Sequence, residues 1–205
     1  MTNTEYNQTK RSGVLGGTII AMVMMLIMSV PAEARFSSFK DYYNSKIPSV
    51  SDILSNNGFQ TLLFALDATG LTAVLDENKV LLFAPTDDVF EATADALGCQ
   101  DVEDLATRLL NIPVGDTNAL AYVLTYHASL GRFKNDYDVL SAGELQMVSG
   151  DAVTTGVGAN GLFVKGIVNA TPSNVTSELF KAKRTSAVYA IDQILLPIDP
   201  TGVCD

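Results

Sequence analysis

Hydrophobic positions along this chain follow two regimes. Up to His127 they mostly recur at helical spacing; from Leu145 onward they fall in short β-type runs cut by turn residues. In the first regime Ser51-Asp52-Ile53-Leu54 predicts a short capped helix that stops at Asn56-Asn57-Gly58. Phe59, Leu62, Leu63 and Leu66 share one face at i, i+3, i+4 and i+7, which predicts a helix over 59–68 closed by Gly70. Leu71 to Leu75 adds a turn, and Asp76-Glu77-Asn78 reads as a loop. Val80-Leu81-Leu82-Phe83-Ala84 then breaks the period: five apolar residues without alternation predict a strand buried on both faces. Pro85 cannot donate to a ladder and stops it. Thr86 stands at a helix N-cap, and Asp87, Asp88 and Glu91 fill a first turn where carboxylates complement the helix dipole.

That helix runs over 87–97. Asp101 caps a second, with Val102, Leu105, Ala106, Leu109 and Leu110 on one side and Ile112-Pro113 at its end. A third starts at Asp116 or Thr117 and carries Leu120, Val123, Leu124 and His127. The later strands are predicted at Leu145–Val148, Val153–Val157, Leu162–Val164, Ile167–Val168 and Val188–Leu195, with turns at Ser149-Gly150-Asp151, Asn160-Gly161 and Lys165-Gly166. A layer of apolar helix stripes needs a cover, and these strands supply it. The pattern therefore predicts an α+β fold in a single domain over 49–200, with 35–48 as a lead-in and 201–205 as a C-terminal tail.

The first 34 residues read differently. Lys10-Arg11 is followed by 17 uncharged, mostly apolar residues from Val14 to Val30, then by Ala32-Glu33-Ala34, a small-x-small cleavage site. This predicts a signal peptide over 1–34 and a domain that is secreted, at the cell surface or in the periplasm. An uncleaved segment of that length sits at the lower edge of a membrane span, and only then would the membrane be a partner. Charge sharpens the picture. The chain has 23 acids against 13 bases, a net charge of −10, which argues against a nucleic-acid binder, since that needs a basic face to displace counterions. Two cysteines, Cys99 and Cys204, stand outside any Cys-x-x-Cys motif, so neither zinc nor redox catalysis has support. In an exported protein such a pair favours a disulfide, two free thiols being the alternative.

Two stretches carry a family resemblance. Val80-Leu81-Leu82-Phe83-Ala84-Pro85-Thr86-Asp87-Asp88-Val89-Phe90 resembles the first signature box of the fasciclin domain family. Val188-Tyr189-Ala190-Ile191-Asp192-Gln193-Ile194-Leu195-Leu196-Pro197 resembles the second, and Tyr126-His127 matches the Tyr-His pair between them. The resemblance implies a β-wedge or sandwich with helices packed along one side, and an exported, non-catalytic module for cell adhesion or attachment to extracellular matrix or polysaccharide. Its implied partners are an extracellular protein or polysaccharide. Integrin-binding members of the family use the Tyr-His region, here Tyr126 and His127, and an Asp-Ile pair. That pair is absent here, where the chain reads Leu179-Phe180-Lys181-Ala182-Lys183-Arg184-Thr185-Ser186. The basic run Lys181, Lys183 and Arg184 offers a contact to an acidic polysaccharide instead, against the plainer reading of a solvated face. In such a fold the trailing ends of the two boxes lie in one core, which would let Cys99 meet Cys204.

No other constellation carries chemistry. Gly156-Val157-Gly158-Ala159-Asn160-Gly161 has dinucleotide-site spacing but is followed by a strand rather than a helix. His127 is the only histidine, no serine sits in a nucleophile elbow, and the acids occupy helix starts rather than a calcium loop. The chain is thus predicted to be no enzyme and to need no cofactor or metal. His127 reads as a helix-closing residue bonded to backbone, favoured as a cation by the helix dipole. Asp192, within a strand, reads as tied to nearby backbone donors. Asn169 and Asn174 head glycosylation sequons, relevant in a eukaryotic source. The alternatives are a carrier of a small apolar ligand, which needs a deep apolar-lined pocket, and a hydrolase, which needs convergent polar groups with perturbed titration. Intact mass and N-terminal sequencing of exported protein test the export reading, with Arg35 expected as the first residue.

Overall fold

The computed structural model describes residues 46–131, 143–176 and 180–205. The predicted signal peptide, the cleavage point and residues 35–45 of the lead-in lie outside the described residues, and so does Leu179. Residues 47–205 form one compact unit, which takes in the segment 201–205.

Among the described residues three helices come first: α1 (Val50–Asn56), α2 (Gln60–Ala68) and α3 (Thr72–Glu77). Ser49 caps α1 in a reciprocal capping box with Asp52, two residues earlier than the expected start. Helix α3 absorbs Asp76 and Glu77, which the residue pattern assigned to a loop. Strand β1 (Val80–Pro85) is buried at every residue, and Pro85 is its last member rather than the residue after it. Helices α4 (Asp87–Ala96) and α5 (Val102–Asn111) follow; Thr86 stands at the N-cap position of α4 without a side-chain capping bond, while the Asp101 side chain caps α5 by accepting from the Asp104 N–H.

Asp87 departs from its expected role. Its carboxylate accepts from the backbone N–H groups of Gln60 (3.2 Å) and Thr61 (2.7 Å), at the start of a different helix. Helix α2 has no side-chain cap of its own, since Phe59 occupies that position. Asp87 supplies the missing acceptor across space, and its own N–H donates to the Gly58 carbonyl at 3.1 Å.

The third expected helix begins later than Asp116 or Thr117. A small hairpin of β2 (Pro113–Val114) and β3 (Thr117–Asn118) intervenes, and α6 (Ala119–Tyr126) starts after Asn118, whose side chain accepts from the Ala121 N–H. Seven strands remain: β4 (Ala128–Leu130), β5 (Glu144–Gln146), β6 (Ala152–Gly158), β7 (Gly161–Lys165), β8 (Ser173–Asn174), β9 (Phe180–Lys181) and β10 (Ala187–Ile191). Ile167-Val168 is not a strand but an exposed bend, and the last strand stops at Ile191 rather than Leu195.

The strands make two four-stranded sheets, ordered β4-β1-β10-β9 and β5-β6-β7-β8. In the first, β1 and β10 run parallel, Leu81 opposite Ala187 through Pro85 opposite Ile191; the other pairings are antiparallel. This explains the run without alternation. Val80, Leu82, Ala84, Val188 and Ala190 point toward the helices, into a core with Leu54, Leu62, Leu66, Phe90 and Leu124. Leu81, Phe83, Ala187, Tyr189 and Ile191 point the other way, into a core shared with Val153 and Val164 of the second sheet. Phe83 and Tyr189 stack there with centroids 6.1 Å apart. The fold is therefore α+β, with helices on one face of the central sheet and a second sheet on the other.

Cys99 and Cys204 are bridged, with Cα atoms 5.0 Å apart. The bond joins the end of α4 to residues past the last strand and closes a loop of 105 residues. Chain entropy assigns such a closure about 4–5 kcal/mol. Replacing both cysteines by serine is expected to lower unfolding free energy by several kcal/mol, read as a fall in denaturant midpoint with a steeper slope, because the unfolded chain without the crosslink exposes more surface.

Candidate functional site

Three places collect the polar and apolar groups that sequence reasoning singled out: the Tyr126-His127 pair, a cleft beside it, and a basic corner at the start of β1 and β10.

Helix α6 ends at the pair because its last turn meets both cores. Tyr126 is fully buried between the sheets, and its hydroxyl donates to the Ala152 carbonyl (3.0 Å) and accepts from the Ile167 N–H (2.9 Å). Burial raises its pKa above the ordinary value. His127 is 2 % exposed. Its Nδ1 lies 2.7 Å from the Val123 carbonyl, and its Nε2 accepts from the Leu195 N–H at 2.9 Å. These partners fix one neutral tautomer, with the proton on Nδ1. A second proton would set N–H against N–H at Leu195. Desolvation drives the pKa down to about 4, so the cationic helix-end role does not apply; the desolvation cost exceeds the dipole gain. Neither side chain is open to a partner in this fold. Their main chains extend the same tie, since the Phe83 N–H donates to the His127 carbonyl at 2.9 Å.

Asn169 joins this network. Its side-chain amide donates to the Ile194 carbonyl (2.8 Å) and its oxygen accepts from the Leu196 N–H (2.8 Å). Asn169 is buried, so a glycan on its side-chain nitrogen would have to displace the contact to Ile194. Asn174 is partly exposed, and its amide donates to Asp192 at 2.7 Å. Asp192, just past the end of β10 rather than within it, also accepts from the Asn174 N–H and the Ser173 hydroxyl. Gly166 is required beside the pair: a Cβ there would fall 3.1 Å from the Tyr126 ring and 3.2 Å from the Leu196 nitrogen. The Gly-x-Gly-x-x-Gly stretch lies in the β6–β7 hairpin, where Phe163 packs across from Gly156. Strand β7 follows it, where a dinucleotide site would have a helix N-terminus.

The cleft was not legible residue by residue. It has a volume of about 790 Å³ and lies among α2, α4, α5, α6 and the segment 194–203. The signal that could have found it is α5. Of its apolar stripe only Leu105 is fully buried, while Val102, Ala106, Leu109 and Leu110 are only partly buried. Phe64 of α2 also lines the cleft and is 62 % exposed. His127 forms part of the wall, with both ring nitrogens already bonded. It is therefore no general base for a molecule bound there.

The segment 194–204 bounds one side. Leu195 and Leu196 are held by His127 and Asn169, the Arg108 guanidinium donates to the Val203 carbonyl at 3.3 Å, and Cys204 is bonded to Cys99. Asp199 accepts from the Thr201 N–H and hydroxyl, which folds the segment into a turn and holds the Asp199 carboxyl below its ordinary pKa.

The basic corner is separate. Lys181 sits on edge strand β9, and Lys183 and Arg184 lie in the short 3₁₀ turn Lys183–Thr185. Lys79 and Arg184 line one recess with Glu77 and Leu130. Arg184 and Thr185 have φ of 60° and 65°, a strained conformation for non-glycine residues. Ser186 pins this turn to the start of β1: its hydroxyl donates to the Asn78 carbonyl and accepts from the Val80 N–H, each at 3.0 Å.

The fasciclin domain family model matches residues 57–197, from the end of α1 through both signature boxes. The chain belongs to the fasciclin domain family. Among solved structures, a FAS1 domain pair from the insect cell adhesion molecule fasciclin I is similar, with 16% sequence identity and a TM-score of 0.48. The likeness covers 69% of this chain and 46% of that one, so the chain spans less than half the length of that neighbour. No curated protein sequence matches this chain. Fasciclin domains are a cell-adhesion-associated module family. In this fasciclin domain the Tyr-His pair is an internal tie between α6, both sheets and the segment after β10.

That tie generates a pH prediction. The unfolded histidine titrates near 6.5 and the folded one near 4, so the unfolded chain takes up its proton first as pH falls. The stabilising contribution is complete above about pH 6.5 and is lost progressively toward pH 4, by on the order of 3 kcal/mol. Urea titrations at pH 7 and pH 4.5 should show this loss in the native protein and not in His127→Gln. His127→Ala, which strands the Leu195 N–H, should cost about 1–3 kcal/mol at pH 7.

Proposed function

We propose that this protein is an exported, non-catalytic interaction module that attaches to an extracellular protein or polysaccharide, as in cell adhesion. Family membership carries the reading: fasciclin domains are associated with cell adhesion and occur in extracellular proteins. The Cys99–Cys204 bridge supports export, because disulfides persist in oxidising compartments. The buried, doubly bonded His127 supports a non-catalytic role, since a catalytic base must reach a substrate.

The basic corner is the contact surface. Lys79, Lys181, Lys183 and Arg184 are four of the seven lysines and arginines among the described residues, in a chain of net charge −10. Concentrating scarce cations on one rim lets an acidic polysaccharide approach a surface that repels it elsewhere. The alternative, a carrier of a small apolar ligand, draws its support from the cleft of about 790 Å³. The two readings are compatible, since the cleft and the corner are built from different elements.

The corner is tested by Lys181→Glu with Lys183→Glu and Arg184→Gly, the glycine preserving the left-handed backbone. Cosedimentation with a sulfated polysaccharide and with intact cells is expected to weaken at least about tenfold, as added salt should also weaken it in the native protein. Unchanged binding at an unchanged melting temperature would remove the corner from the contact.

A further inference from the structure

Helix α5 is amphipathic, yet its apolar side is only half covered. Val102, Ala106 and Leu109 stay partly exposed and line the cleft, whose opposite side carries Phe64 with most of its ring in the open. Apolar surface left open in this way costs free energy in proportion to its area, at about 25 cal/mol per Å². A volume of about 790 Å³ lies within the usual range for small-molecule sites, roughly 300–1,000 Å³.

The walls restrict what fits. Among the described residues lining the cleft, Glu103 and Asp199 are the only carboxylates, and no lysine or arginine is present. An anionic headgroup would meet like charge, and Arg108, which touches the wall at Val203, is already paired with Asp104. Deep in the cleft the polar atoms of His127 and Thr93 are already bonded within the protein, and Asp199 and Thr201 bond to each other. A bound molecule therefore gains little from hydrogen-bonding groups of its own. One side is the chain's own segment 198–203, covalently tied at Cys204 and bonded by Arg108, which narrows the room for a partner helix or strand.

We propose that this cleft binds one small, electrically neutral, apolar molecule, held between α5 and the disulfide-tied segment 198–203. The inference rests on the carrier reading above and adds the ligand class. The selectivity is against fatty-acid-like anions, and its source is the charge on Glu103 and Asp199.

Two fluorescent probes that differ by one sulfonate test it on the mature protein: neutral N-phenyl-1-naphthylamine and anionic 8-anilinonaphthalene-1-sulfonate. The neutral probe should saturate at one per chain and bind at least about tenfold tighter than the anion, a difference of about 1.4 kcal/mol. Ala106→Trp, and separately Leu109→Trp, should fill the cleft and abolish the neutral probe's binding while the melting temperature holds. Either variant alone suffices if the other fails to fold. Glu103→Lys should strengthen binding of the anion. Saturable binding of neither probe overturns the inference and the carrier reading together. Equal affinity for both probes leaves a carrier and overturns the neutral-ligand assignment. Binding that survives both tryptophan variants places the probe elsewhere and overturns the site. A dimer in sedimentation that the probe dissociates makes a second copy of the chain the occupant, which also overturns it.

Discussion

The parallel pairing of β1 with β10 is the constraint from which the rest of the domain follows. Neither strand has a polar face, so neither can lie at a solvated surface. Each must be covered twice. Helices cover Val80, Leu82 and Val188 on one side, and the second sheet covers Phe83, Tyr189 and Ile191 on the other. Two strands some 100 residues apart in sequence are thereby brought side by side. The parts of the chain between them are set by what each face needs.

Such a doubly covered sheet has joints where polar backbone would be stranded, and the Tyr-His pair serves one of them. The chain leaves α6, enters β4, and lies against the segment after β10 at the same place. Tyr126 satisfies backbone groups from the second sheet and its connection, while His127 satisfies a carbonyl of its own helix and the Leu195 N–H. Asn169 does the same for Ile194 and Leu196. Each side chain answers one donor and one acceptor, which removes the cost of burying either unpaired. A histidine used in this way must stay neutral, and the dry surroundings keep it so.

The cleft is the counterpart of this economy. Where α5 turns its stripe inward, only Leu105 reaches full burial, and the segment after Ile194 covers part of the remainder. The disulfide, the Arg108 contact and the turn at Asp199 hold that segment in place without filling the space beneath it. The same covalent tie that restricts the unfolded chain thus also defines the wall of a site. The basic corner owes its position to a different joint, the Ser186 bridge between the starts of β1 and β10.

Much of this was written locally. The unalternating run at Val80–Ala84, the Asp101 cap, the α2 stripe and the β6–β7 hairpin depend on near neighbours, and their positions could be read from residue pattern. So could the family, because the boxes are contiguous. What residue pattern misplaced was governed by distant partners. Asp87 caps α2 because Phe59 cannot, a fact visible only when the two helices meet. Ile167-Val168 has strand-like residues but no ladder to join, and Asn169 beside it is a buried clamp on Ile194 and Leu196, a role its sequon did not suggest. The cleft is the clearest case. An amphipathic stripe tells that a helix has an apolar side; only the packing of four helices and a tethered segment decides how much of that side stays open.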